Sequence, residues 1–220
     1  MLRTLGVDKT HSGDQYAEWD DFSLAQADDE SLTTRRLHIA FVASSRALVD
    51  EFWRVGTEAG YPDDGAPGPR PQYSEDYYGG FLLDPDGNSA EAVHHGGERT
   101  GRIDHLWIRI ADIAPAKRFY ETIAPHAGFE LRGERPGFAH FRGHGGSFSI
   151  VEGTPTEHVH MAFPASENAT VEAFHRAATE AGYRDNGAPG ERAVYHPGYY
   201  GAYVLDPDGN NIEVVNHNRD

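Results

Sequence analysis

The strongest constraint on this 220-residue chain is an internal repeat at a constant spacing of 122 residues. Residues 37–95 align with residues 159–217 without a gap, and 33 of the 59 aligned pairs are identical. The shared runs include EAGY, GAPG and DPDGN. Self-similarity at a fixed spacing indicates a duplicated structural unit, so we expect the chain to fold as two related copies.

The two copies differ in completeness. Residues 103–122 have no counterpart in the first copy, which aligns only from the following position onward. We therefore predict an incomplete first domain at residues 1–95, a polar linker at residues 96–100 and a complete second domain at residues 101–220. The alternative is a natural start upstream of Met1, where a further strand would precede it.

The hydrophobic pattern of the second copy predicts an α+β fold. The segment HLWIRIA, residues 105–111, alternates like a strand, and residues 168–181 place apolar side chains on one face of a helix that ends at Gly182. Three short strand-like segments follow each of two helices. The predicted order is βαβββ twice, as paired modules whose helices cover one face of a curved mixed sheet.

Composition excludes several classes of function. The chain has no cysteine, so disulfides and thiolate metal sites are excluded, and His, Asp and Glu are the strong metal ligands that remain. A formal charge of −16 argues against a nucleic-acid partner. The sequence has no apolar run long enough to span a membrane and no signal segment after Met1. We therefore expect no membrane partner and a cytoplasmic location.

Ligand-type side chains fall on one face of three predicted strands. Because alternate strand residues share a face, packing of the aliphatic residues on the helices leaves His105, His160 and Glu213 on the opposite, concave face. Glu213 lies between Ile212 and Val214, where an isolated charge is costly without a partner. The three side chains either hold a metal ion or are structural polar residues of a metal-free binding pocket.

The motifs IDHLWIRI, VHMAF and DPDGNNIEVV resemble those of the vicinal oxygen chelate superfamily, which includes glyoxalase I, extradiol dioxygenases and bleomycin-binding proteins. The resemblance covers residues 101–220 fully and residues 1–100 in part. It implies one metal ligand on the first strand and one on the last strand of each module, so that His105, His160 and Glu213 are the expected ligands. Two imidazoles and one carboxylate suit Fe(II) or Mn(II), and Zn(II) or Ni(II) are compatible with them.

The resemblance also bears on activity. The segment VYHPGYYGAYVLDPDGNNIE is similar to the extradiol dioxygenase signature, which implies that His196 is an acid or base and that Tyr203 hydrogen-bonds the substrate. The competing interpretation makes His196 a surface or structural residue. Glyoxalase I has a fourth ligand, a glutamate, where this chain offers Ser149 and Val151; Glu152 would serve only after a register slip.

Three functions remain open at this point. The first is a metal-dependent oxygenase that binds a catechol-like small molecule through vicinal oxygens. The second is a glyoxalase-like lyase or isomerase, and the third is a metal-free drug- or metabolite-binding protein. All three imply a small-molecule partner, and the first two imply an enzyme.

We expect the first copy to be a scaffold without a working site. His38 and Glu91 stand at its ligand positions, whereas Ser74 and Phe81 stand where the second copy has His196 and Tyr203. No residue of the first copy aligns with His105, and two ligands alone would hold a divalent ion poorly. The missing strand and helix should leave apolar surface uncovered, which favours pairing either with another chain, as a homodimer, or with the second copy.

Overall fold

A computed structural model describes residues 1–29, 31–96, 101–143 and 145–218. The chain divides into two compact units, of which the first contains residues 1–107 and 145–148 and the second contains residues 108–144 and 149–220. Most of the predicted linker, residues 97–100, lies outside the described residues.

The secondary structure of the described residues alternates strands with three α-helices. The strands are β1 (His11–Ser12), β2 (Tyr16–Trp19), β3 (Phe22–Ala25), β4 (His38–Val42), β5 (Asp63–Pro69), β6 (Tyr78–Leu83), β7 (Ser89–His94), β8 (Ile103–Ile110), β9 (Phe129–Arg135), β10 (Phe138–Gly143), β11 (Ser147–Glu152), β12 (His160–Pro164), β13 (Arg184–Glu191), β14 (Tyr200–Leu205) and β15 (Asn211–Asn216). The helices are α1 (Arg46–Glu58), α2 (Ile113–Ala127) and α3 (Asn168–Glu180), and a short 3-10 helix spans Leu2–Leu5.

The first unit contains a small antiparallel sheet, β1-β2-β3, and a mixed sheet with the order β5-β6-β7-β4-β8. In the mixed sheet, β4 runs parallel to β7 and antiparallel to β8. Ser45 caps α1, because its side chain accepts a hydrogen bond from the backbone N–H of Leu48. The core that α1 covers consists of the buried side chains of Ile39, Phe41, Val49, Phe52, Leu82 and Ala92.

The second unit has the predicted βαβββ order twice, with β8 shared between the units at Trp107. Its sheets have the orders β8-β11-β10-β9 and β12-β15-β14-β13. β12 and β15 are parallel, whereas β14 is antiparallel to both β13 and β15, so this sheet is mixed as well. The predicted α+β fold class is confirmed, and α3 ends one residue before the predicted end.

The DPDGN turn between β14 and β15 is held by the side chain of Asp206. Its carboxylate accepts hydrogen bonds from the backbone N–H groups of Asp208 and Asn210 and from the Asn210 side-chain amide. The buried Tyr120 hydroxyl donates a fourth hydrogen bond to it over 3.1 Å. Gly209 adopts the left-handed conformation, φ 89°, which a glycine adopts without strain.

None of the described helices is long and apolar enough to cross a membrane.

Candidate metal centre

Three ligand-type side chains converge in the first unit, namely His38, Glu91 and His105, which we call the triad. Their donor atoms all lie within 4.8 Å of one another. Across the part of the chain that the structure describes, no other group of three or more His, Asp or Glu side chains meets this spacing. The Glu91 side chain is 1% exposed, and those of His38 and His105 are each 13% exposed.

Strand pairing explains why these side chains meet. Ala40 of β4 lies opposite Glu91 of β7 on one side and opposite His105 of β8 on the other. Because the alanine side chain is small, the two longer side chains can approach each other across it. One ring nitrogen of His105, Nε2, lies 3.6 Å from Glu91 Oε2, and the rings of His38 and His105 stack with centroids 5.3 Å apart.

The Nδ1 atoms of both imidazoles are hydrogen-bonded to side chains outside the triad. The Ser89 hydroxyl donates to Asp64 over 2.7 Å and therefore accepts from His38 Nδ1 over 3.2 Å. His105 Nδ1 donates to Asp104 over 2.8 Å. In the neutral tautomers that this network assigns, each Nε2 is an unprotonated acceptor that faces Glu91 Oε2.

Lone pairs of the Nε2 atoms and of Glu91 Oε2 repel each other at short distance unless a proton or a metal cation lies between them. His38 Nε2 lies only 3.1 Å from Glu91 Oε2, and the Tyr77 hydroxyl donates to the other carboxylate oxygen over 2.7 Å. An imidazolium proton or a metal ion would satisfy the remaining lone pairs, which point to one place. Two neutral imidazoles and one carboxylate in a largely buried site are a donor set that fits a divalent metal ion.

The triad differs from the grouping that the sequence predicted. The prediction joined His105 to His160 and Glu213 and treated the first copy as a scaffold. The structure instead brings His105 to the two ligand-type residues of the first copy. Alternation along a strand shows which residues share a face, but it does not show which strand lies alongside, and β8 pairs with β4.

Asp104 is a site residue that the sequence analysis missed. It is 3% exposed and accepts hydrogen bonds from His105 Nδ1 and from His95 Nε2, each over 2.8 Å. This anchors the tautomer and the ring orientation that direct His105 Nε2 toward Glu91. The signal was present in the sequence, because an acidic residue directly precedes the histidine, but such neighbours usually point to opposite faces of a strand.

We expect Asp104→Asn to weaken divalent-ion binding about 10- to 100-fold, because it removes the charged acceptor that fixes His105. Isothermal titration of the chelator-treated protein with Mn(II) measures this. The helix-capping residue Asp112 provides the control, since Asp112→Asn should keep the wild-type affinity. Unchanged affinity in the folded Asp104→Asn variant would remove Asp104 from the site.

Aromatic side chains line the triad. Trp107 lies opposite His38 on the paired strand, and their ring centroids are 5.7 Å apart. Tyr73 packs edge-on against Trp107 at 5.8 Å, and Phe81 lies 5.9 Å from the His38 ring. Arg70 stacks over Phe81 at 5.3 Å and supplies a cation at the edge of this group. These planar walls suit a flat, apolar ligand.

A family model described as the Glyoxalase/Bleomycin resistance protein/Dioxygenase superfamily matches residues 102–214, which is more than half of the chain. The chain belongs to this superfamily. The match agrees with the resemblance that the strand motifs carried. The triad is thus a candidate metal centre of a glyoxalase/dioxygenase-superfamily protein, and its donor set supports a divalent metal.

Two solved structures that align over most of this chain share its fold, and a third matches over about half of it. A V278E mutant of glyoxalase I from Zea mays is 18% identical, has a TM-score of 0.67, and the alignment covers 96% of this chain and 83% of that one. Glyoxalase I from Zea mays gives 16% identity and a TM-score of 0.64, with coverage of 92% and 79%. A glyoxalase/bleomycin resistance protein from Albidiferax ferrireducens T118 is 27% identical over 51% of this chain and 97% of its own, with a TM-score of 0.47. A comparison with curated proteins gave no match.

Two of the predicted ligands meet in the second unit. His160 Nε2 lies 2.8 Å from Glu213 Oε2, and the Tyr199 hydroxyl donates to Glu213 Oε1 over 2.7 Å. This arrangement repeats His38, Glu91 and Tyr77 at the spacing of 122 residues. Glu213 is fully buried, whereas the His160 side chain is 48% exposed. The second unit therefore holds a matched pair of ligand-type side chains, which remain predicted ligands.

The two predicted catalytic residues also lie in the second unit. His196 Nδ1 donates to the Pro197 carbonyl over 2.8 Å, and its Nε2 lies 3.0 Å from His217 Nδ1. Tyr203 is 8% exposed, and within the described residues its hydroxyl has no hydrogen-bond partner of good geometry. Burial and the nearby Glu213 charge raise the pKa of Tyr203, so the hydroxyl keeps its proton at neutral pH. Catalytic roles for both residues stay predictions.

Proposed function

We propose that this protein is a divalent-metal-dependent enzyme whose metal ion is held by His38, Glu91 and His105, and that it acts as an oxygenase on a small aromatic molecule with vicinal oxygens. The observation that supports this most strongly is that the Nε2 atoms of His38 and His105 both face one carboxylate oxygen of Glu91, while their Nδ1 atoms are hydrogen-bonded to other side chains. A buried cluster of acceptors is costly unless a cation occupies it.

The donor set guides the choice of metal. Two imidazoles and one carboxylate that leave coordination positions open are typical of non-haem Fe(II) oxygenases, and Mn(II) shares these preferences. Zn(II) and Ni(II) also accept imidazole ligands and are the alternatives. When bound, the ion supplies positive charge and open positions for the two substrate oxygens, and iron or manganese adds redox chemistry.

The protein residues around the triad would then bind and orient the substrate. Trp107, Tyr73 and Phe81 provide planar apolar surface beside the ligands, which favours an aromatic ring over a flexible peptide-like thiol. Arg70, at the edge of this surface, could pair with an anionic substituent. Tyr77 fixes Glu91 by donating to the carboxylate oxygen that does not face the imidazoles.

A glyoxalase-like lyase or isomerase is the second candidate. The first copy has Ser74 and Phe81 where the extradiol-like signature has its histidine and tyrosine, so the predicted acid–base pair is not repeated in the unit that holds the triad. This favours chemistry without that pair. A metal-free binding protein is the third candidate, and it predicts an ordinary apolar pocket without a bound ion.

Metal analysis followed by oxygen-electrode measurements separates the three candidates. We expect about one Fe(II) or Mn(II) per chain and oxygen uptake matched to the loss of a catechol from a substrate panel. His38→Ala should abolish uptake, whereas His160→Ala, the same change at the repeat position, should preserve it.

Metal-dependent conversion of a hemithioacetal without oxygen uptake would establish the glyoxalase-like candidate instead. Tight ligand binding by a protein free of metal would support the third candidate.

A further inference from the structure

Arg70, at the end of β5 in the first unit, has no acidic partner. The chain contains 35 Asp and Glu residues and only 19 Lys and Arg residues, so carboxylates outnumber cations. Within the part of the chain that the structure describes, no Asp or Glu side chain nevertheless forms an ion pair with Arg70. Its guanidinium donates hydrogen bonds only to backbone carbonyl groups.

These backbone contacts hold the Arg70 guanidinium in one place. Nη2 donates to the Ala66 carbonyl over 2.8 Å, and Nη1 donates to the Pro69 carbonyl over 3.2 Å. A Cβ atom at Gly68 would lie 3.0 Å from Nη1, so the glycine leaves the space that the guanidinium needs. The two bonds leave the other N–H groups of the guanidinium for a ligand. A side chain that is already fixed loses less conformational entropy on binding.

The second copy repeats this arrangement. Arg192, the counterpart of Arg70 at the spacing of 122 residues, donates from Nη2 to the Ala188 carbonyl over 2.7 Å. Its guanidinium lies 5.5 Å from the centroid of the Tyr203 ring, and that of Arg70 lies 5.3 Å from the centroid of the Phe81 ring. The position of the arginine therefore follows from the local GAPG run that both copies share.

Strand pairing places Arg70 on the face of the sheet that carries the triad. Phe81 of β6 lies opposite Glu91 of β7, and Glu91 lies opposite Ala40 of β4, so these residues form one row on one face. Neighbouring strands are about 4.8 Å apart, so Phe81 is a single strand away from Glu91. The Phe81 ring lies 5.3 Å from the Arg70 guanidinium and 5.9 Å from the His38 ring. One aromatic side chain thus connects the cation to the triad.

We propose that Arg70 determines specificity at this site by binding a carboxylate on the aromatic ring of the substrate. The planar guanidinium matches a carboxylate in a two-bond geometry. The formal charge of −16 favours a ligand with one negative charge over a doubly charged phosphate. The substrate class is therefore a catechol-like ring that bears a carboxylate. The role of the vicinal oxygens rests on the proposed function, whereas the anion subsite rests on Arg70.

Anaerobic isothermal titration of the Mn(II)-loaded protein with two ligands tests the subsite. The ligands are catechol and protocatechuate, which is catechol with one carboxylate added to the ring. Protocatechuate should bind about 10- to 100-fold more tightly, because the carboxylate forms charge-assisted hydrogen bonds. Arg70→Gln should remove this difference. Arg70→Lys, which keeps the charge and loses the planar fork, should restore only part of it.

Arg54→Gln is the matched control, because it changes the net charge equally. Arg54 pairs with Glu51 and Glu58 on α1, so this variant should keep the wild-type difference between the two ligands. Equal affinity of the wild type for both ligands would overturn the proposal. The same conclusion would follow if protocatechuate did not bind, or if the difference persisted in a folded Arg70→Gln variant.

Titration of the chelator-treated protein separates this inference from the proposed function. Without the ion, protocatechuate should bind more weakly but still at least about tenfold more tightly to the wild type than to Arg70→Gln. Binding that depends on Arg70 in a protein that takes up neither a divalent ion nor oxygen would support the subsite and contradict the proposed function. Metal-dependent oxygen uptake with catechol, without any preference for the carboxylate, would support the proposed function and overturn the subsite.

Discussion

Glu91→Gln is expected to lower divalent-ion affinity by at least about 100-fold, because Glu91 is the only charged ligand of the triad and an amide oxygen replaces its carboxylate. Both histidines direct Nε2 at the same carboxylate oxygen, so the substitution removes the group that holds the set together. Metal content of the purified protein and titration with Mn(II) after chelation provide the measurement.

The internal repeat supplies a matched control for this experiment. Glu213 occupies the same position in the second copy, with the same tyrosine and histidine partners. Glu213→Gln should leave the high-affinity ion in place. The reverse pattern, with metal lost in Glu213→Gln and kept in Glu91→Gln, would support the ligand set predicted from the sequence and contradict the triad. Circular dichroism should confirm that both variants keep their secondary structure.

Asp206→Ala is expected to destabilise the second unit by about 3 kcal/mol or more, because it leaves buried donors without an acceptor. The carboxylate accepts four hydrogen bonds, including one from the Tyr120 hydroxyl, which is fully buried. The repeat counterpart Asp84 accepts three bonds in a more exposed turn, and Asp84→Ala should cost about 1 kcal/mol. Urea denaturation monitored by fluorescence and circular dichroism measures both changes.

A double mutant isolates the part played by the tyrosine. Adding Tyr120→Phe to Asp206→Ala removes the hydroxyl that has lost its acceptor, so the double variant should recover about 1 kcal/mol relative to Asp206→Ala alone. If the double variant is less stable than Asp206→Ala, then the hydroxyl has found another partner and the stated cause is wrong. If the denaturation curve shows two transitions, each should be fitted individually.

Local elements followed from the sequence because their causes are local. The DPDGN runs predicted turns, since proline and glycine restrict or release φ at fixed positions, and the apolar spacing of residues 168–181 predicted α3 to within one residue. The hydrophobic pattern of the second copy predicted the order βαβββ twice. The strand motifs also indicated the superfamily that the family model shows.

Strand neighbours were decided by the tertiary structure. The two-residue period grouped His105, His160 and Glu213 on one predicted face, but it carries no information about which strand lies alongside. Backbone hydrogen bonds between strands are the same for any sequence, so β8 can pair with either copy as far as its own residues are concerned. Its pairing with β4 assigns His105 to His38 and Glu91.

The hydrogen-bond partners of the two imidazole rings are also determined only by the tertiary structure. Nothing in the sequence shows that Ser89 and Asp104 occupy the Nδ1 atoms of His38 and His105, because one contact joins strands 51 residues apart and the other depends on a side-chain rotamer. The sequence by itself determined the α+β fold class, the order of its helices and strands in residues 101–220, and the ligand-type residues that it offers. The tertiary structure decided which of those residues share one site, because that depends on long-range pairing rather than on local pattern.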